Sequence, residues 1–345
     1  MRAPLLAPSL LLLATQSQQQ SVFKEALRWY DRGLGYIRGT LASATNIPGY
    51  EILSIMSAAI LMSFFETINS TVDSGYEQHI FGAVTLLEAN GPETFTSPEY
   101  HDIFLAVRGH AITVSFMTGN PTCLSEEEWL TIPFIGIKKS PSEEINDVLL
   151  AIIKLLAQLR TSTVVGVGHS EQVNMQEKVL LNLCYLKAEL DRIWNEINHW
   201  EIHNMVDAPN TLESHYTYTN ASEARIVAMH GYARLIILLL LDKFPSLIPS
   251  YPAEIMNENY KESQLTQASA SIISAASYLS QFDIGCAYLR MTLPVQLVAQ
   301  GSPSSVQRNH AIKILRDWFA EKPLKGLAKK ALQNITYGDH KLTFQ

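Results

Sequence analysis

Cysteine is scarce in this chain. Cys123, Cys184 and Cys286 are the only three in 345 residues, and they lie far apart with no C-x-x-C pair. That excludes a disulfide framework and a cysteine-based structural zinc site, and it fits an intracellular protein, cytoplasmic or nuclear. Charge is thin as well. Asp, Glu, Lys and Arg make up 17% of the residues, against about 25% in an average soluble domain. The balance is acidic, with Lys+Arg 26 against Asp+Glu 33 for a net charge of -7, and no lysine-rich run occurs. Duplex DNA and an anionic membrane repel such a chain, so we expect no direct nucleic-acid binding and no membrane association. The longest apolar run, Ile52 to Phe65 between Glu51 and Glu66, has 14 residues. That suits a buried helix better than the roughly 20 residues of a membrane span. Nucleotide signatures are missing too: there is no P-loop, and Gly166 and Gly168 supply only a fragment of a dinucleotide fingerprint.

What the chain does have is interior. Hydrophobic residues reach 47%, and a protein of this size buries about three quarters of its extended surface, so an apolar core carries the fold without staples. Apolar positions recur with helical spacing: Ile145, Val148, Leu149, Ile152, Ile153 and Leu156 form one stripe, and Leu180, Leu183, Cys184 and Leu190 another. Ser97-Pro98-Glu99, Ser125 with Glu128, and Ser140-Pro141 with Glu143 mark helix starts. Strand-like β-branched character is confined to Thr161 to Val167. The pattern predicts an all-α fold, a single domain over 1–345 of about a dozen helices, with irregular segments at 119–139, 161–171 and 205–219. The stretch Ala3 to Ala14 resembles the middle of a signal peptide, but Pro4, Pro8 and the missing A-x-A site favour a first core helix over secretion.

Chemistry-bearing residues are few. Arg108 shares a helical face with Phe104, Leu105, Ile112 and Ser115, and Glu66 with Ile55, Ala59 and Met62, so both charges point inward and pair naturally with each other. His199 and His203 stand four apart beside Trp194 and Trp200, a spacing that suits two ligands of one metal, but HWEIH is not H-E-x-x-H and no third ligand is specified. No metal site is expected. His215, Tyr216, Tyr218, His230 and Tyr232 form a second polar-aromatic concentration. VVGVGHSEQ, from Val164 to Gln172, approaches a nucleophile elbow, but the elbow needs a strand and a parallel sheet that this chain lacks. The aspartate-rich helix of a metal-dependent terpene cyclase is absent, and after Asn146-Asp147 the position for a hydroxyl ligand is Leu150.

The run from Gly75 to Phe134, GYEQHIFGAVTLLEANGPETFTSPEYHDIFLAVRGHAITVSFMTGNPTCLSEEEWLTIPF, resembles the central part of the fungal-specific transcription factor domain. Upstream ALRWYDRGLGYIR and IMSAAILMSFFE resemble its early helices, and YLRMTLPVQLVAQGSPSSVQRNHAIKILRDWF its closing segment. The resemblance implies the all-helical regulatory scaffold of zinc-cluster regulators. The six-cysteine cluster and basic linker that read DNA in that family are not among these residues.

Two uses of the interior follow. In the first, the helical cavity folds a hydrophobic terpenoid or polyketide for a cofactor-free, pericyclic cyclisation of the Diels-Alder type, accelerated by preorganisation. That cyclase of secondary metabolism would use His199, His230 and Tyr232 for catalysis, with Trp129, Trp194, Trp200, His203, Arg108 and Glu66 around the substrate. In the alternative, the chain is a regulator or co-regulator that senses a small molecule, or binds a transcription-factor partner or a second copy of itself, without touching DNA. The cyclase is the first expectation, because a domain separated from its DNA reader must be useful in another way.

Overall fold

The computed structural model describes residues 2–43, 49–164, 169–198, 217–242, 258–282, 289–322 and 325–337. Among these residues there are thirteen α-helices, a few short 3-10 turns and no strand, so the fold is all-α as the periodicity predicts. The chain divides into two compact units, Met1–Ser115 with Thr122–Ile137 and Asp317–Lys330, and Phe116–Pro121 with Lys138–Arg316 and Ala331–Gln345.

The first unit opens with a helical hairpin. Helices α1 (Arg2–Ser17) and α2 (Gln20–Ser43) reverse direction at Gln18, whose φ of 55° is the left-handed turn. Both pack on α3 (Gly49–Ile68), burying Ala7, Leu11, Ala26, Tyr30, Met62 and Phe65 in one cluster. The first helix is therefore a core helix here, with Pro4, Ala7, Leu11 and Ala14 on its buried side. Helix α4 (Gly75–Asn90) follows closely enough on α3 that a Cβ at Gly75 would overlap the Glu66 carboxylate. The start of α5 (Pro98–Thr118) and short α6 (Glu127–Thr131) gather Phe95, Phe104, Trp129 and Phe134, whose ring centroids lie 5.8 to 6.2 Å apart. Aromatic rings at that spacing in offset or edge contact add to simple area burial.

The second unit is organised by α9 (Ala221–Leu241). This helix is apolar all round and is met by α7 (Pro141–Val164), α8 (His169–Asn198), α10 (Glu258–Leu279) and α11 (Thr292–Gly301), the arrangement expected of a helix with no polar face. Helices α12 (Ser305–Glu321) and α13 (Lys325–Tyr337) close the chain. Asn220 caps α9 by accepting the Glu223 amide at 3.0 Å, and the Ser140 hydroxyl accepts the Glu143 amide at 3.3 Å ahead of Pro141 in α7. Stretches of α3 and α9 are long and apolar enough to cross a membrane, yet 61% and 72% of them are buried inside the protein, as core helices are.

Two local expectations change. Thr161 to Val164 continue α7 as helix instead of turning irregular or extended, and His169 already starts α8, which leaves only 165–168 of that segment outside the described residues. A β-branched residue costs a helix only a few tenths of a kcal/mol, too little to stop one already propagating. Within 119–139 the chain is not structureless: Cys123–Ser125 and Ile132–Phe134 are 3-10 turns flanking α6, and Glu126, not Ser125, stands at its N-cap. Of 205–219, only 217–219 are described, and they are not helical.

At the crossing of α9 and α10 there is no room for a side chain at Gly231, where a Cβ would overlap the Ser271 hydroxyl and lie 3.1 Å from the Ala268 carbonyl oxygen. Gly231→Ala should force the helices apart, lowering stability by about 1–3 kcal/mol. A thermal melt several degrees below wild type checks this, and an unchanged melt would show that the crossing yields.

Candidate functional site

The crossing that excludes a side chain at Gly231 also makes a pocket. Trp194 on α8 stacks its ring on His230 of α9, centroids 4.5 Å apart at 29°. Arg234, one turn beyond His230, extends the same wall, and Gln267, Ala268 and Ser271 of α10 form the other. The centre of a water can move within about 20 Å³ there, room for a polar head group of a few atoms and not for a metabolite's body.

The hydrogen-bond pattern fixes the chemistry of the imidazole. His230 is 4% exposed, and its Nε2 lies 3.1 Å from the Leu190 carbonyl oxygen. A carbonyl only accepts, so Nε2 carries the proton and donates, leaving Nδ1 as a lone-pair acceptor with no partner among the described residues. Burial, reinforced by the nearby Arg234 guanidinium, pushes its pKa down to about 4, against weaker upward pulls from Leu190 and from Asp191, which is itself tied to Lys187 at 2.9 Å. The imidazole is neutral at physiological pH. Arg234 donates to the Gln264 side-chain oxygen, has no carboxylate partner among the described residues, and leaves its buried Nε without an acceptor.

The other candidate residues lie elsewhere. Tyr232 sits beside His230 in sequence, but its ring meets Phe116 edge-on at 5.4 Å, it does not line the pocket, and its buried hydroxyl has no hydrogen-bond partner among the described residues. Burial raises its pKa, so it stays a neutral phenol. In the first unit Trp129 is 2% exposed inside the aromatic cluster, and the Arg108 guanidinium lies 5.4 Å over the Phe134 ring. Arg108 and Glu66 both point inward, at 0% and 2% exposure, but the expected Glu66–Arg108 pair is replaced. Glu66 accepts the Tyr30 hydroxyl and Thr71 hydroxyl at 2.5 Å each and the Thr71 amide at 2.8 Å. Those donors come from α2 and from the turn after α3, nearer in the fold than α5. Because Tyr30 donates to the carboxylate, its oxygen accepts from His79 Nε2 at 2.9 Å, making a three-residue chain. Desolvation raises the Tyr30 pKa, with Glu66 adding to it, and desolvation lowers that of His79. His199, Trp200, His203, His215 and Tyr216 lie outside the described residues. Among the described residues no group of three or more His, Cys, Asp or Glu is placed to hold a metal.

Arg234, Gln267 and Ser271 escaped the sequence reading. The signal was available for one of them: an arginine at i+4 from a histidine, in a helix that otherwise reads IILLLL.

An all-α scaffold is what these helices build. Residues 2–294 match the fungal specific transcription factor domain, and the chain belongs to that family. It is similar to an uncharacterized protein of Emericella nidulans, 24% identical over 176 residues, 48% of this chain and 37% of that protein. The match thus spans little more than a third of that relative's length. No solved structure matches.

Two outcomes check the geometry. Unfolded histidine takes a proton near pH 6.5 and His230 only near 4. Between those values the unfolded chain holds more protons, so the His230 contribution is complete above pH 6.5 and is lost as pH falls towards 4, by about 3 kcal/mol at most. His230→Gln, which keeps a donor for Leu190, should flatten the slope of melting temperature between pH 6.5 and 5, where carboxylate protonation contributes least. Tyr232→Phe removes an orphaned hydroxyl whose burial costs about 1–3 kcal/mol. Its melt should match or exceed wild type, and a clear loss would mean the hydroxyl has a partner.

Proposed function

We propose that this chain is the effector-sensing, regulatory part of a fungal transcriptional regulator, acting in the nucleus through a small molecule or a protein partner and making no DNA contact of its own. The observation that carries this reading is the family match over residues 2–294. The acidic charge of -7 and the three scattered cysteines agree with it, since a DNA-reading zinc cluster is not among these 345 residues. The pocket at His230 supports the sensing half: it lies where α8, α9 and α10 meet, so a molecule bound there would touch all three helices. The cyclase has no such support. Neither the family nor the relative speaks for it, and a space of about 20 Å³ beside His230 does not enclose a terpenoid or polyketide.

The reading is tested by tethering. The 345-residue chain, fused to a heterologous DNA-binding domain in a fungal host, should raise or lower transcription of a reporter several-fold relative to that domain alone. Purified without the fusion, it should not retard duplex DNA at physiological salt. A fusion indistinguishable from the bare DNA-binding domain would overturn the regulatory assignment.

A further inference from the structure

We infer that the pocket between α8, α9 and α10 takes the carboxylate head of a small 2-hydroxy acid, with Arg234 binding the carboxylate and His230 Nδ1 accepting from the hydroxyl. As an effector site it rests on the regulatory reading above; as a binding site it stands on geometry. Arg234 brings a permanent positive charge with no carboxylate to neutralise it among the described residues, and only the Gln264 oxygen as acceptor. A cation is repelled there. A neutral apolar ligand leaves the guanidinium and the bare Nδ1 unanswered, at the cost of unpaired buried polar groups.

A plain carboxylate answers only half of the site. Its lone pairs would face the lone pair of His230 Nδ1, whose tautomer is fixed by the Nε2 bond to Leu190. The ligand must therefore bring a donor close to its anionic oxygens, which a hydroxyl on the adjacent carbon does. Gln267 and Ser271 on the opposite wall can supply further polar contacts, and the Trp194 ring stacked on His230 gives the head group an apolar edge. The space of about 20 Å³ admits the head alone. The body of the acid lies beyond it.

The test uses the full chain at neutral pH with three probes of nearly equal size: L-lactate, propionate without the hydroxyl, and lactamide without the charge. Ligand-observed NMR should show saturable lactate binding at a Kd of a few mM, about the affinity so small a ligand reaches. Propionate and lactamide should bind at least about tenfold more weakly, because each leaves one buried group unpaired. Lactate should change tryptophan fluorescence, and Trp194→Phe should remove that change while NMR binding persists. Arg234→Gln, folded by circular dichroism, should lose lactate binding about tenfold or more. If that variant does not fold, the three-probe comparison on the wild type still decides. No lactate saturation, equal binding of the three probes, or a fluorescence response surviving in Trp194→Phe overturns the site. A tethered chain that regulates its reporter while lactate fails to bind removes the acid site and leaves the regulator; lactate binding by a chain whose fusion is silent does the reverse.

Discussion

The burial of most of α9 is the constraint on which the second unit depends. A helix that is mostly apolar must be covered by its neighbours, and α7, α8, α10 and α11 do this. Such closeness has a steric consequence at Gly231 and an electrostatic one at its polar residues. Each buried polar atom on α9 must find a partner inside the protein or remain orphaned. Among the described residues His230 finds Leu190 with one nitrogen, Arg234 finds Gln264 with one donor, and the Tyr232 hydroxyl finds none. The incompletely answered groups on the α10 side are those around which the pocket forms.

The first unit handles buried charge differently. Glu66 is surrounded by hydroxyl and amide donors from Tyr30 and Thr71, so its charge is spread over hydrogen bonds and not cancelled by a cation. Arg108 lies over the face of Phe134, a surface a guanidinium favours. Only the Glu66 arrangement answers its charge with hydrogen bonds; the buried Nε of Arg108, like that of Arg234, has no acceptor among the described residues. What sets Arg234 apart is that it lines a pocket.

Helix content could be read from the chain because burying one stripe of a helix leaves a period in the sequence. The stripe from Ile145 to Ile153 is buried as predicted, and the family resemblance holds over most of the chain. Inward orientation of Glu66 and Arg108 was readable for the same reason. Their partners were not, because pairing depends on which helices cross and at which residue, and sequence distance does not encode that. Tyr30 is 36 residues from Glu66, and His79 is 49 from Tyr30. The pocket has the same origin: Trp194 and His230 were singled out as aromatic and polar residues on apolar helices, but Gln267 and Ser271 became relevant only through the glycine crossing.

The buried Glu77 forms an ion pair with Lys330, which also donates to the Asp73 carbonyl at 3.2 Å. The two ionic partners are separated by 253 residues of chain. At a synthesis rate of roughly 5–20 residues per second, Glu77 leaves the ribosome some tens of seconds before its lysine exists. The α1–α4 part of the first unit must wait in that interval without the segment from Asp317 to Lys330, while the chain of the second unit is made in between. Contacts of the early helices are thus completed by a segment made much later.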